Sequence, residues 1–135
     1  MKKIGIIAAL LAVCLLLGAC APKLSEKFSA DELTRQAEAD IALINTRDFD
    51  AVVARVREDL RANLTAASLE EAWGAALDSL GAYAGVKSAG TTGTTDKQTG
   101  EAYGVTVTVA EYENGAATFT LTYNEALELV GLYMK

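Results

Sequence analysis

The chain contains no histidine, only two cysteines and a single proline in 135 residues. Without imidazole, Ser-His-Asp and Cys-His catalysis, histidine-ligated zinc and the commonest general base are excluded. Cations are scarce as well: twelve Lys and Arg stand against eighteen Asp and Glu, a formal net charge of −6. Affinity for phosphate backbones comes largely from Lys and Arg displacing counterions, so no nucleic-acid partner is expected. Arg47, Arg55, Arg57 and Arg61 do cluster, but Asp48, Asp50, Glu58 and Asp59 are interleaved with them, the pattern of a solvated helix face. Long apolar runs are missing except at the very start.

That exception follows Met1-Lys2-Lys3 and extends from Ile4 to Leu17. A positive start, a short apolar run and small residues after it are the parts of a secretory signal. The run is shorter than the roughly 20 residues of a membrane-spanning helix. Leu17-Gly18-Ala19-Cys20 resembles the lipobox of bacterial lipoproteins, in which a branched aliphatic and two small residues precede an obligatory cysteine. The resemblance implies cleavage before Cys20, a diacylglyceryl group on its sulfur, palmitate-type acylation and a place on the extracytoplasmic side of the cell membrane. Two acyl chains give stable anchoring at about 0.8 kcal/mol per buried CH₂, where one chain is marginal. Ala19-Cys20-Ala21 also fits ordinary cleavage after Ala21, and an uncleaved anchor over Ile4 to Ala21 is the third option.

Lipobox cleavage gives a signal peptide at 1–19, a tether at 20–27 and one domain at 28–135. It leaves 116 residues, with ten basic against eighteen acidic side chains and a net charge of −8. Cys14 goes with the signal and Cys20 is consumed, so the domain has neither disulfide nor free thiol. Lys23 and Lys27 lie in the tether, near the headgroups of an anchoring membrane.

Ser29-Ala30-Asp31-Glu32 reads as a capping box opening a first helix, with Leu33, Ala37, Ile41 and Ile44 at helical spacing. Asp48 or Asp50 caps a second, carrying Phe49, Val52, Val53, Val56 and Leu60. Ser68-Leu69-Glu70-Glu71 is a second capping box, starting a third helix with Trp73, Ala76, Leu77 and Leu80 inward and Gly81 as its stop. The period then changes to two. Val105-Thr106-Val107-Thr108-Val109 and Phe119-Thr120-Leu121-Thr122-Tyr123 alternate, which buries one face and leaves the other to water or a partner. Asn114-Gly115 signals a hairpin because both residues tolerate positive φ. With strands at Tyr83 to about Thr94 and Leu127 to Met134, the expected fold is α+β: three N-terminal helices on a curved, four-stranded antiparallel sheet.

Residues 28–135 resemble the nuclear transport factor 2-like superfamily, a cystatin-like cone, and within it the bacterial domain-of-unknown-function family 3887. Arg47-Asp48-Phe49-Asp50-Ala51-Val52, Leu69-Glu70-Glu71-Ala72-Trp73 and Leu129-Val130-Gly131-Leu132-Tyr133 carry the likeness. It implies a cavity between sheet and helix, used across the superfamily for isomerisation or dehydration, for small apolar ligands, or only as packed core. It also implies an outer sheet face that often dimerises. Trp73, Tyr103 and Phe119 are the candidate ligand-binding residues, since aromatics supply apolar area and some a polar handle. Asp78 with Tyr83 or Tyr103 is the trial set for catalysis, though Asp78 falls on the outer face of its helix. Ala89-Gly90-Thr91-Thr92-Gly93-Thr94-Thr95 lacks Walker spacing and reads as a strand end, and Glu111 with Glu113 supplies too few oxygens for calcium.

The expected function is a lipid-anchored, non-enzymatic binding or interaction module without cofactor or metal. The alternatives are an envelope scaffold that dimerises or docks a partner through a Thr-rich sheet face, and a cavity enzyme using an Asp/Tyr pair.

Overall fold

A computed structural model describes residues 23–135. The expected signal sequence at 1–19 and the expected lipidation site Cys20 lie outside the described residues. Among those described, helices pack on a four-stranded antiparallel sheet, an α+β arrangement.

Helix α1 (Ala30–Asn45) begins where Ser29 accepts from the Glu32 N–H at 3.3 Å. Leu33, Ala37, Ile41 and Ile44 form its buried stripe. Helix α2 (Phe49–Arg55) is capped by Asp48, which accepts from the Ala51 N–H at 3.1 Å. It stops short of the expected Leu60. Val56 is extended (φ −78°, ψ 140°) and bridges Leu129 in parallel, while the Arg57 N–H donates to the Leu129 carbonyl at 2.9 Å. A distant strand thus takes over the backbone partners that another helical turn would have used, and Leu60 sits in a separate 3₁₀ turn (Glu58–Asn63).

Helix α3 (Ala66–Leu80) starts before Ser68, which is not the cap. Thr65 is the cap, and Ser68 closes the box: each side chain accepts from the other's N–H at 3.0 Å. Two hydroxyls meet the free donors of the first turn, which leaves Glu70 and Glu71 exposed. Gly81 ends the helix at φ 79°, a conformation that suits a residue without Cβ.

The strands β1 (Tyr83–Thr95), β2 (Ala102–Tyr112), β3 (Gly115–Tyr123) and β4 (Leu129–Met134) form a meander in chain order. The β2–β3 turn differs from the Asn-Gly expectation. Its two residues are Glu113 and Asn114, Gly115 already pairs with Tyr112, and neither Asn114 nor Gly115 has positive φ. Tertiary bonds shape the turn instead: the Glu113 N–H donates to the Ala82 carbonyl at 2.8 Å and the Asn114 N–H to the Leu80 carbonyl at 2.9 Å.

The core lies between the helices and one sheet face. Phe119, Leu121 and Tyr123 point into it from β3, opposite Leu33, Ile41 and Ile44. Strand β2 supplies small groups to the same face over most of its length, with Gly104, Thr106, Thr108 and Ala110 all buried, and ends in buried Tyr112. A Cβ on Gly104 would fall 2.6 Å from Leu33 Cδ1, so α1 lies too close to this strand for a larger residue there.

Candidate functional site

The two alternating strands are out of phase chemically. In β3 the threonines face out and the large apolar residues face in; in β2 Thr106 and Thr108 are buried at 1% exposure and the valines face out. The register explains this. Thr106 pairs with Leu121 and Thr108 with Phe119, and directly paired residues share a face. Three large apolar groups on β3 outweigh two threonines, and threonine is close to valine in size. The face expected to be Thr-rich therefore carries threonine on β3 and at Thr92 and Thr94 of β1, with valine on β2 between them.

On this outer face Val105, Val107 and Val109 lie across from Thr122, Thr120 and Thr118, and Tyr133 pairs with Thr120. Val107 is 42% exposed and Tyr133 59%. Ser88 and Gly90 of β1 continue the patch beyond Val109 and Val107. None of these residues is charged, on a chain whose overall balance is strongly acidic.

The buried polar centre lies on the other side of the sheet. Asp40 of α1 is 3% exposed. Its Oδ1 accepts from Arg55 Nε at 2.7 Å and Gln36 Nε2 at 3.2 Å, its Oδ2 from Tyr123 OH at 2.6 Å and Arg55 Nη2 at 3.3 Å. Arg55 also donates to the Leu127 carbonyl at 2.6 Å, and Leu127 has positive φ (61°). Desolvation first, then the Asp40 charge, pushes the Tyr123 phenol well above its ordinary pKa. The bond to Asp40 moves the Arg55 guanidinium further up, against the opposing effect of burial. Both carboxylate oxygens already hold two donors, so the group is a structural junction of α1, α2, β3 and the β3–β4 turn.

An apolar groove of about 220 Å³ opens beside β4, lined by Val56, Leu60, Leu64 and Leu129 to Leu132. The sequence candidates lie elsewhere. Trp73 and Phe119 do meet, edge to face at 6.3 Å and 88°, but both are core residues. Tyr103 is apart from them, with its hydroxyl 3.4 Å from Arg57 Nη1. The trial catalytic set is not assembled: Asp78 is exposed and pairs with Arg47, while Tyr83 packs on Tyr112 at 5.5 Å. The pairing that does exist, Asp40 with Tyr123, was not singled out, since nothing in a helical Glu-Ala-Asp-Ile stretch distinguishes a buried aspartate from an exposed one.

The arginines do not form one solvated helix face either. Arg47 holds Asp78 and Glu70, Arg55 holds Asp40, Arg57 holds Asp59 and Glu101, and Arg61 donates to the carbonyls of Val56 and Ala54. The early stop of α2 distributes them over different elements, and each becomes a clamp. Among the described residues, no three Cys, Asp or Glu side chains gather as a metal site, and no helix is long and apolar enough to cross a membrane.

A family model described as a protein of unknown function, DUF3887, matches residues 37–132. The chain belongs to the DUF3887 family. The matched stretch contains Asp40, Arg55 and Tyr123 together with the whole outer face up to Leu132. A solved structure described as the NMR structure of a protein from Ruminococcus gnavus ATCC 29149 is similar to this DUF3887 chain, with 25% identity and a TM-score of 0.75. It covers 84% of this chain and 97% of its own. No curated protein matches.

Proposed function

We propose that this DUF3887 protein is a lipid-anchored, extracytoplasmic interaction module, without enzymatic activity, that associates with a second copy of itself through its outer sheet face. One observation carries the reading: an uncharged patch of valine, threonine and tyrosine on a body whose charge after loss of the signal is −8. Two copies repel at most orientations. Contact through this patch leaves charge only at its rim, where Glu111 follows Val109 and Lys135 pairs with Thr118, and the same patch on both partners meets the self-complementarity of a twofold interface.

Three to four strands at about 4.8 Å spacing and five residues at about 3.3 Å rise span roughly 300 Å². That is well under the ~800 Å² per partner of a standard stable interface, so association is weak and reversible in solution. A lipid on Cys20 supports it by confining copies to one surface, which raises their effective concentration without any new contact.

The test uses full-length protein in membranes. Once Cys20 is acylated, a cysteine introduced at Thr120 is the sole free thiol, and mild oxidation yields a disulfide dimer. Cysteine at Glu58 yields none, and Val107→Glu abolishes the Thr120→Cys cross-link. Monomer at every membrane density refutes self-association. Cys20→Ser, with loss of acyl labelling and of membrane partitioning, tests the anchor separately. A second reading, a small apolar ligand, has its own support in the groove beside β4, whose volume is below the 300–1,000 Å³ usual for ligand pockets. Under that reading Leu132→Arg removes binding of an apolar dye and leaves cross-linking intact.

A further inference from the structure

The described part of the tether is seated on the domain. Gly93 and Gly104 are cross-strand partners on β1 and β2. A Cβ on Gly93 would lie 2.6 Å from the Lys23 carbonyl oxygen and 3.0 Å from Leu24 Cα, while a Cβ on Gly104 would also approach Phe28 Cδ1, at 3.2 Å. Two glycines side by side thus open a notch through which the chain passes. Leu24 and Phe28 pack against the core on either side of a turn closed by the Phe28 N–H and the Ser25 carbonyl at 3.0 Å. Lys27 adds an exposed ion pair to Glu125 of the β3–β4 turn at 3.1 Å.

The notch is at one end of the sheet. Gly93 is two residues from the end of β1 at Thr95 but ten from its start at Tyr83, about 33 Å along the strand. Three peptide links join Lys23 to Cys20, and they reach at most about 11 Å.

We infer that the seated tether orients the domain on the bilayer: the β1–β2 hairpin (96–101) and the β3–β4 turn (124–128) face the lipid surface, and the β2–β3 turn at Glu113–Asn114 points away. This rests on the lipid-anchor reading of Cys20. The acyl chains make the attachment, since Lys23, Lys27 and Lys97 at this end are outnumbered by Glu26, Asp96, Glu101, Glu125 and Glu128. The acidic remainder of the body is repelled by anionic headgroups, which keeps the long axis of the sheet upright. Standing this way, neighbouring copies present their outer faces to one another, and a twofold axis along the membrane normal sends both anchors into the same leaflet.

The experiment places a fluorophore on a cysteine at Gln98 or at Glu113 of the acylated full-length protein. The protein is reconstituted into vesicles of phosphatidylethanolamine and phosphatidylglycerol that carry a headgroup quencher. The Gln98→Cys probe is expected to lose most of its emission and the Glu113→Cys probe to keep it. A flexible Gly-Ser insert of about twelve residues after Pro22 removes the contrast by freeing the body. Gly93→Val removes it by expelling the tether from its notch. Acylated protein with equal quenching at both sites overturns the orientation and leaves the anchor standing. Absence of acyl label overturns the anchor, and the orientation with it.

Discussion

Strands β2 and β3 have nearly the same alternation in sequence and opposite chemistry in space. Strand β3 buries Phe119, Leu121 and Tyr123 and turns Thr118, Thr120 and Thr122 outward. Strand β2 buries Thr106 and Thr108 and turns Val105, Val107 and Val109 outward. Alternation specifies that two faces differ, and the neighbouring strand decides which of them goes in. Here the heavier row wins, and Leu33 on α1 lies too close to Gly104 of β2 for a larger residue at that position. The consequence is the uncharged patch at the centre of the outer face, on which the proposed association rests.

The difference is broken most severely at its largest wholly apolar residue. Phe119→Ala should destabilise by about 3–5 kcal/mol, as expected for an aromatic deleted from a packed core. Val107→Ala, on the other face, should stay within about 0.5 kcal/mol. Urea midpoints of the two variants measure the asymmetry directly, and equal losses would show that β2 also buries its valines.

The inward row of β3 ends in Tyr123, whose hydroxyl requires Asp40. Asp40→Ala leaves Arg55 and Tyr123 without their acceptor and should destabilise by about 3–5 kcal/mol, the usual result of removing one member of a buried pair. Circular dichroism melts read this loss, and a fall of under about 1 kcal/mol would mean that the junction is solvated.

Tyr123 also predicts a pH dependence. Its folded pKa is raised, so its contribution is fully present below the unfolded tyrosine value of about 10 and is lost as pH rises above it. Stability should therefore fall steadily as pH rises above about 10, and Tyr123→Phe should flatten that slope. A remainder persists from Tyr83 and Tyr112, both raised chiefly by burial. Urea titrations across that range, with an unchanged slope in Tyr123→Phe, would contradict the assignment.

The smallest test separates the two buried threonines. Thr106 Oγ1 donates to the Leu121 carbonyl at 3.1 Å, whereas Thr108 Oγ1 is buried with no hydrogen-bond partner among the described residues. Thr106→Val should cost about 0.5–1.5 kcal/mol, and Thr108→Val should stabilise by about 1 kcal/mol by removing an unpaired hydroxyl. Opposite signs in the same denaturation assay are the expected result.

Much of the fold was legible along the chain. The first cap at Ser29, the helical stripe of α1, the stop at Gly81 and the order of the four strands follow from local chemistry. The start of α3 at Thr65 was not, because a Thr–Ser box competes with the more familiar Ser–Glu pattern three residues on. The end of α2 was not, because its terminator is the Leu129 carbonyl, distant in sequence. Trp73 and Phe119, candidate ligand contacts along with Tyr103, meet edge to face in the core, and aromatic composition alone does not separate a lining from a core. The Asp40–Arg55–Tyr123 junction had no local signature.

Sequence alone determined what is set within a few residues: caps, period, and the chemistry that an absent histidine forbids. Tertiary structure alone decided which face of β2 is buried, where the arginines anchor, which carboxylate is enclosed and where the tether is seated. Those outcomes depend on partners dozens of residues away, whose volume and hydrogen-bonding demands act only after the chain has brought them together.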